Sequence, residues 1–240
     1  MGRHGTIAGR KAAQDAKRSQ LFTKYARAIT VAARSGGDPE YNINLKHAID
    51  KAKSINMPNE NIKRAIQKGT GELAGESYEP GSFEGYGPGG VAVIVEVLTD
   101  NRNRTTSNVK HAFDKYNGNL GVPGCVTYMF ERKGIIPIEK TDEVDEDSLF
   151  ETALEHGAED VIIHDDSYEV QTEPQNFNDV EEALKKSGYV LVESGVEYVP
   201  TMETTPGEEH IEDLKKMIEM LENDDDVQKV YHNCAIDLTE

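Results

Sequence analysis

Lysine and arginine carry the one chemistry that residue type and spacing suggest in this sequence. Arg10, Lys11, Lys17, Arg18, Lys24 and Arg27 crowd the stretch RKAAQDAKRSQLFTKYARAITVAAR (10–34), which is both basic and amphipathic. Cations at this density neutralise phosphates and release counterions, a mode of binding that depends steeply on salt and little on base sequence. Lys46 and Lys53 extend the cationic set into the next segment. A second group, Arg102 and Arg104 in TDNRNRT (99–105), falls where an apolar strand gives way to a helix N-terminus. Two guanidiniums beside unbonded backbone N–H groups would hold an anion, a phosphate or a carboxylate. The same spacing fits a structural corner in which Asp100 pairs with one arginine and Thr105 or Thr106 caps the helix. Both readings stay open on spacing alone.

Other chemistries find no such residues. GYGPGG (85–90) leads into a strand rather than a helix, so it reads as a turn and not as a phosphate loop. The seven histidines include no HxH or HxxxH pair, and no metal site or other cofactor is expected. Cys125 and Cys234, without CxxC spacing, read as buried free thiols. The acidic runs 142–147 and 224–226 read as solvated faces or helix caps. No nucleophile–base arrangement appears at local spacing, and the cleft around Arg102 and Arg104 offers no identifiable catalytic group, so the chain reads as a non-enzymatic protein.

The elements that must position these cations follow from periodicity. Leu21, Phe22, Tyr25, Ala28, Ile29 and Ala32 give the first helix one apolar stripe, with Lys17, Lys24, Arg27 and Arg34 on an adjoining face. Residues 10–18 lie before that stripe begins and read as an arm that orders on binding. Helices over 42–55 and 59–68, the latter ended by Gly69, complete a three-helix bundle with Lys46 and Lys53 outward. Residues 72–89, rich in Gly and Pro, read as a linker. A buried strand over 91–99, a helix over 106–116 and a strand over 125–130 follow. Residues 134–200 give strand, helix, two strands, helix and strand, the βαββαβ order of a ferredoxin-like unit. A helix over 208–222 and a strand over 227–236 are left over, which makes that unit an insertion. The fold class is therefore α+β and multidomain: a bundle (1–75), an α/β domain (76–133 with 205–240) and an inserted ferredoxin-like domain (134–204).

Charge follows the same division. Residues 1–71 hold 14 Lys and Arg against 5 Asp and Glu, a net of +9, whereas residues 72–240 hold 12 against 39, a net of −27. A nucleic-acid-facing end on an acidic body produces such asymmetry. No apolar run approaches the length of a membrane span, and no signal-like h-region opens the chain, so a cytoplasmic address without membrane contact is expected.

RKAAQDAKR (10–18), FTKYARAITVAARSGGDPEYN (22–42), AIDKAKSINMP (48–58), NIKRAIQKGTGE (61–72), EGYGPGGVAVIVE (84–96), TDNRNRT (99–105) and YMFERKG (128–134) closely resemble the YebC/PmpR family. The resemblance implies three domains, the first helical and the others α/β. It also implies a probable transcriptional regulator that binds DNA, or a translation factor, as mitochondrial relatives suggest, that meets the ribosome or RNA. The chain is read as a monomer. Where family members usually carry a Trp in a Ser-Lys-Trp-like stretch, this chain has Arg3-His4-Gly5-Thr6 and no Trp.

Overall fold

The first described element is α1 (Arg18–Ala32), followed by a short 3-10 turn at Ala33–Ser35. Its buried Ile29, with half-buried Phe22 and Tyr25, meets Leu45, Ile49 and Ala52 of α2 (Ile43–Ser54) and Ile62 and Ala65 of α3 (Asn59–Thr70). Phe22 and Tyr25 are thus core aromatics. Helix α3 runs through Gly69 and closes at Gly71, whose φ of +82° is the left-handed cap conformation. Gly69 does something else: a Cβ there would stand 2.3 Å from the Thr30 carbonyl oxygen and 2.6 Å from Ala33 Cβ. It is the position at which α3 and the end of α1 approach backbone to backbone.

The computed structural model describes residues 18–141 and 143–238, which group into two units. The first unit comprises residues 18–129 and 202–238. Beyond the bundle it holds β1 (Glu79–Tyr86), β2 (Ala92–Thr99), α4 (Arg102–Lys115), β3 (Asn119–Leu120), then α7 (Glu208–Glu222) and β8 (Val227–His232) after the chain returns. The sheet is antiparallel in order β3-β1-β2-β8. Val93, Val95 and Val97 alternate onto Val109 and Phe113 of α4 and Leu214, Met217 and Leu221 of α7.

Two expectations change here. Eight residues of the stretch read as a linker, 79–86, form β1, a strand paired with β2 from Glu79↔Thr99 to Tyr86↔Ala92. Its Pro80 is tolerated because β3 pairs only with Gly85 and Tyr86, leaving that end of the strand with one open edge. The strand expected over 125–130 is instead a 3-10 turn, Thr127–Met129. Its donors are taken: the buried Glu84 carboxylate accepts the N–H groups of Gly124 (2.8 Å), Val126 (3.1 Å) and Thr127 (3.0 Å). Burial alone would raise the Glu84 carboxyl, but these bonds outweigh it and hold it below its ordinary value.

The second unit, residues 130–201, runs β4 (Phe130–Glu139), α5 (Glu146–Glu155), β5 (Ala158–Ile163), β6 (Ser167–Thr172), α6 (Phe177–Lys186) and β7 (Gly195–Pro200). The strand–helix–strand–strand–helix–strand order is the expected one, and the sheet is antiparallel in order β5-β6-β4-β7. Ile136, Ile138 and Val170 pack on Leu149, Val180 and Leu184. The final strand begins at Gly195 rather than Val190; before it, Leu191 makes only an isolated bridge to Ile138.

Candidate nucleic-acid interface

Two cations of the α1 face, Lys24 and Arg27, are turned inward. Gln20, Lys24 and Arg27 follow one another at helical spacing, and all three meet the turn between α7 and β8. The Gln20 amide donates to the Asn223 carbonyl (3.2 Å), and the Lys24 ammonium donates to the Glu222 carbonyl (2.9 Å). Lys24 thereby sits at the C-terminus of α7, where carbonyls without helical donors and the negative end of the helix dipole favour a cation. Arg27 donates to the Leu98 carbonyl (3.0 Å) and to the Asp226 carboxylate, and its guanidinium lies 4.9 Å from the Tyr78 ring centroid.

Asp226 is the centre of this contact. A register shift between Glu96 and Val97 in the β2–β8 ladder sets Asp226 beside the end of β2, with its carbonyl accepting the Leu98 N–H at 2.8 Å. The side chain, in a residue only 1% exposed, also accepts from Arg104 through Nε (3.2 Å) and Nη2 (2.7 Å), from Thr105 (2.7 Å) and from Thr99 (3.4 Å). Burial would raise this carboxyl, yet the bonds from Arg104, Arg27 and Thr105 outweigh burial and hold it below its ordinary value. The Arg104 guanidinium, bonded to Asp226 and to Asp100 (2.7 Å), is held more firmly protonated than usual.

The expected anion site at Arg102 and Arg104 therefore takes the form of a corner. Asp100 does pair with Arg104, but the cap of α4 is Asn101, whose side chain accepts the Arg104 N–H at 3.1 Å, in place of Thr105 or Thr106. Arg27 and Arg104 are balanced by Asp100 and Asp226. The adjoining cleft, about 650 Å³, is also walled by Glu76, Asp224 and Asp225, which disfavour an anion. Arg102 is exposed on the first turn of α4. The run 224–226, read as solvated, proves split: Asp225 is exposed, Asp224 half-buried and Asp226 buried.

What faces solvent on the bundle is a different set. Lys46 and Lys53 are exposed on α2, as expected, and Lys63 and Arg64 are exposed on α3. The last two were legible from the helical period, since Ile62 and Ala65 point inward and leave 63 and 64 outside. Arg34 is exposed and donates to the Ser77 hydroxyl (3.2 Å). Arg10, Lys11 and Lys17 lie outside the described residues, as does any ordering of the arm; Arg18 is the first residue of α1. Among the described residues no group of three or more His, Cys, Asp or Glu is placed to hold a metal, and no helix is long and apolar enough to cross a membrane. Both cysteines are free thiols; Cys234 is buried, whereas Cys125 is half-buried.

Sequence models of two parts of one family match nearly the whole chain: the TACO1/YebC N-terminal domain over residues 3–72 and the TACO1/YebC second and third domains over residues 78–234. The chain belongs to the TACO1/YebC family. Among TACO1/YebC relatives, a probable transcriptional regulatory protein of Clostridioides difficile is 54% identical over 239 residues, covering 99% of this chain and all of that protein. One of Persephonella marina with the same description is 54% identical over 230 residues, covering 95% and 92%. A crystal structure of a conserved hypothetical protein from Aquifex aeolicus superposes with a TM-score of 0.83 at 47% identity, covering 92% of each chain. Relatives so named place the protein among regulator-type proteins.

Proposed function

We propose that this protein is a non-enzymatic regulator that binds nucleic acid through the outward cations of its helical bundle. One observation carries the reading: Lys46 and Lys53 remain exposed on a segment of net charge +9, while Lys24 and Arg27 of the same bundle are committed to the α7–β8 turn. Lys63 and Arg64 add to the outward set, and Arg10, Lys11, Lys17 and Arg18 of the N-terminal arm supply further phosphate contacts. Contacts of this kind give affinity with little base preference. The domain division at 76, 134 and 205, with a ferredoxin-like insertion, belongs to the same reading, as do a cytoplasmic address and a monomeric state.

The reading is tested by fluorescence anisotropy with labelled DNA and RNA. Reversing Lys46 and Lys53 to Glu is expected to weaken binding to both, at an unchanged urea midpoint. Undiminished binding by a folded double variant would refute it. The opposition between a +9 segment and a −27 remainder also favours a second reading, in which the bundle meets ribosomal RNA and the acidic remainder meets basic ribosomal proteins. Co-sedimentation with ribosomes in high salt supports that reading; selective promoter binding without ribosome association defeats it.

A further inference from the structure

Tyr41 is 92% exposed, in a bundle whose other described aromatics, Phe22 and Tyr25, pack against the core. Several other large hydrophobic side chains are exposed, among them Tyr128 at 65%, but Tyr41 is the most exposed of those among the described residues, and it stands next to a second exposed apolar residue, Ile43. The exposure does not come from a slack loop. Asn42, the next residue, is itself buried; its amide donates to the Ala32 and Gly36 carbonyls (both 2.8 Å), and its oxygen accepts the Leu45 N–H at 3.1 Å. One side chain thus caps α2 and ties it to the end of α1. On the other side, the Tyr41 N–H donates to the Asp38 carbonyl at 3.2 Å. The ring is therefore held outward from a fixed mount.

The exposed residues that flank it along the chain are apolar, cationic and acidic, Asp38 among the last. Ile43, the first residue of α2, is 48% exposed, and Lys46 and Lys53, three and ten residues on, continue the same exposed side of the helix. Asp50 interrupts this stripe, and Glu40 precedes the ring. A ring that offers a face to stack on, beside cations spaced along a helix, matches the way single strands are held: bases stack on aromatics while phosphates meet Lys and Arg. Duplexes hide their base faces and would leave the ring unused.

We propose that Tyr41 is a base-stacking residue and that the bundle takes single-stranded nucleic acid with an unstacked base on this ring, its phosphates running along Lys46 and Lys53. The inference rests on the nucleic-acid reading above and narrows it to single strands.

The full chain contains no tryptophan, so Tyr41→Trp installs a sole indole at the ring's position. With a mixed-sequence single-stranded RNA, Tyr41→Trp is expected to bind as tightly as the wild type and to lose indole fluorescence on stacking. Tyr41→Ala is expected to lose about tenfold or more in single-strand affinity, with its salt slope and its duplex affinity kept. Tyr41→Phe, which keeps the ring, is expected to restore single-strand binding. Equal loss on single strand and duplex, or saturating binding by Tyr41→Trp with unaltered fluorescence, overturns the proposal while the cationic interface stands. An indole emission per molecule that changes with protein concentration in the absence of RNA assigns the ring to a second copy of the chain and also overturns it. A wild type that binds neither RNA nor DNA at low salt removes the nucleic-acid reading itself.

Discussion

Asp226 gathers Arg27 from the bundle, Arg104 and Thr105 from α4 and Thr99 from β2 around one buried carboxylate. Removing one partner of a buried, hydrogen-bonded charge pair leaves the others uncompensated, so Asp226→Ala is expected to lower unfolding stability by about 3 kcal/mol, measured by urea titration. Asp226 and Glu84 also contribute to the dependence of stability on acid. Their ordinary carboxyl values are 3.8 and 4.5, and both lie lower in the folded protein. The stability they contribute is therefore complete above their unfolded values and is lost as pH falls through their folded ones. Urea midpoints should drop as pH is lowered below about 4, and Asp226→Asn should start lower and fall less steeply. Little of this was legible in the sequence. TDNRNRT offers a pairing of Asp100 with one of its two arginines as one of two open readings, but three adjacent aspartates look alike, and only the register shift before Val97 decides which one is buried.

At the level of elements, helical period carried most of the information. The apolar stripe of α1 and the extents of α2 and α7 follow from it, whereas the buried character of β2 follows from its continuous apolar run. Local pattern failed where composition pointed the other way. Pro80 and four glycines made 79–89 resemble a linker, although pairing with β2 is a property of the partner strand that no local pattern records. Gly69 has the residue type of a helix terminator but is a packing position inside α3. Gly69→Ala should therefore cost about 1–3 kcal/mol, because the new methyl meets the backbone of α1 and not a side chain that can swing away. Gly71→Ala meets no atom within 4 Å and should cost only about 1 kcal/mol through its positive φ. Thermal unfolding of the two variants separates these origins: the reverse order would place the helix end at Gly69. The direction of the α1 cations lay beyond periodicity for a related reason. A cationic stripe beside an apolar one can face phosphate or a helix C-terminus, and Lys24 and Arg27 meet a turn that lies about two hundred residues later in the chain.

For the whole molecule, the uneven charge was the most legible feature and remains the strongest constraint on partners. On the proposed function, the −27 remainder would repel phosphate and confine a nucleic acid to the cationic bundle. With Lys24 and Arg27 held by the α7–β8 turn, the proposed interface is the outward side of α2 and α3 together with the N-terminal arm. Arg27→Ala should accordingly lower stability more than it alters binding, whereas reversal of Lys46 and Lys53 should do the opposite; urea titration and anisotropy on the same preparations compare the two. The most direct test of this account is the dependence of binding on salt. Observed affinity of the full chain for single-stranded RNA, plotted as its logarithm against the logarithm of salt concentration, should fall linearly. The slope should become shallower by about one to two units in Lys46→Glu/Lys53→Glu, with the folded state intact. An unchanged slope in that variant would contradict the claim that these lysines meet the phosphates.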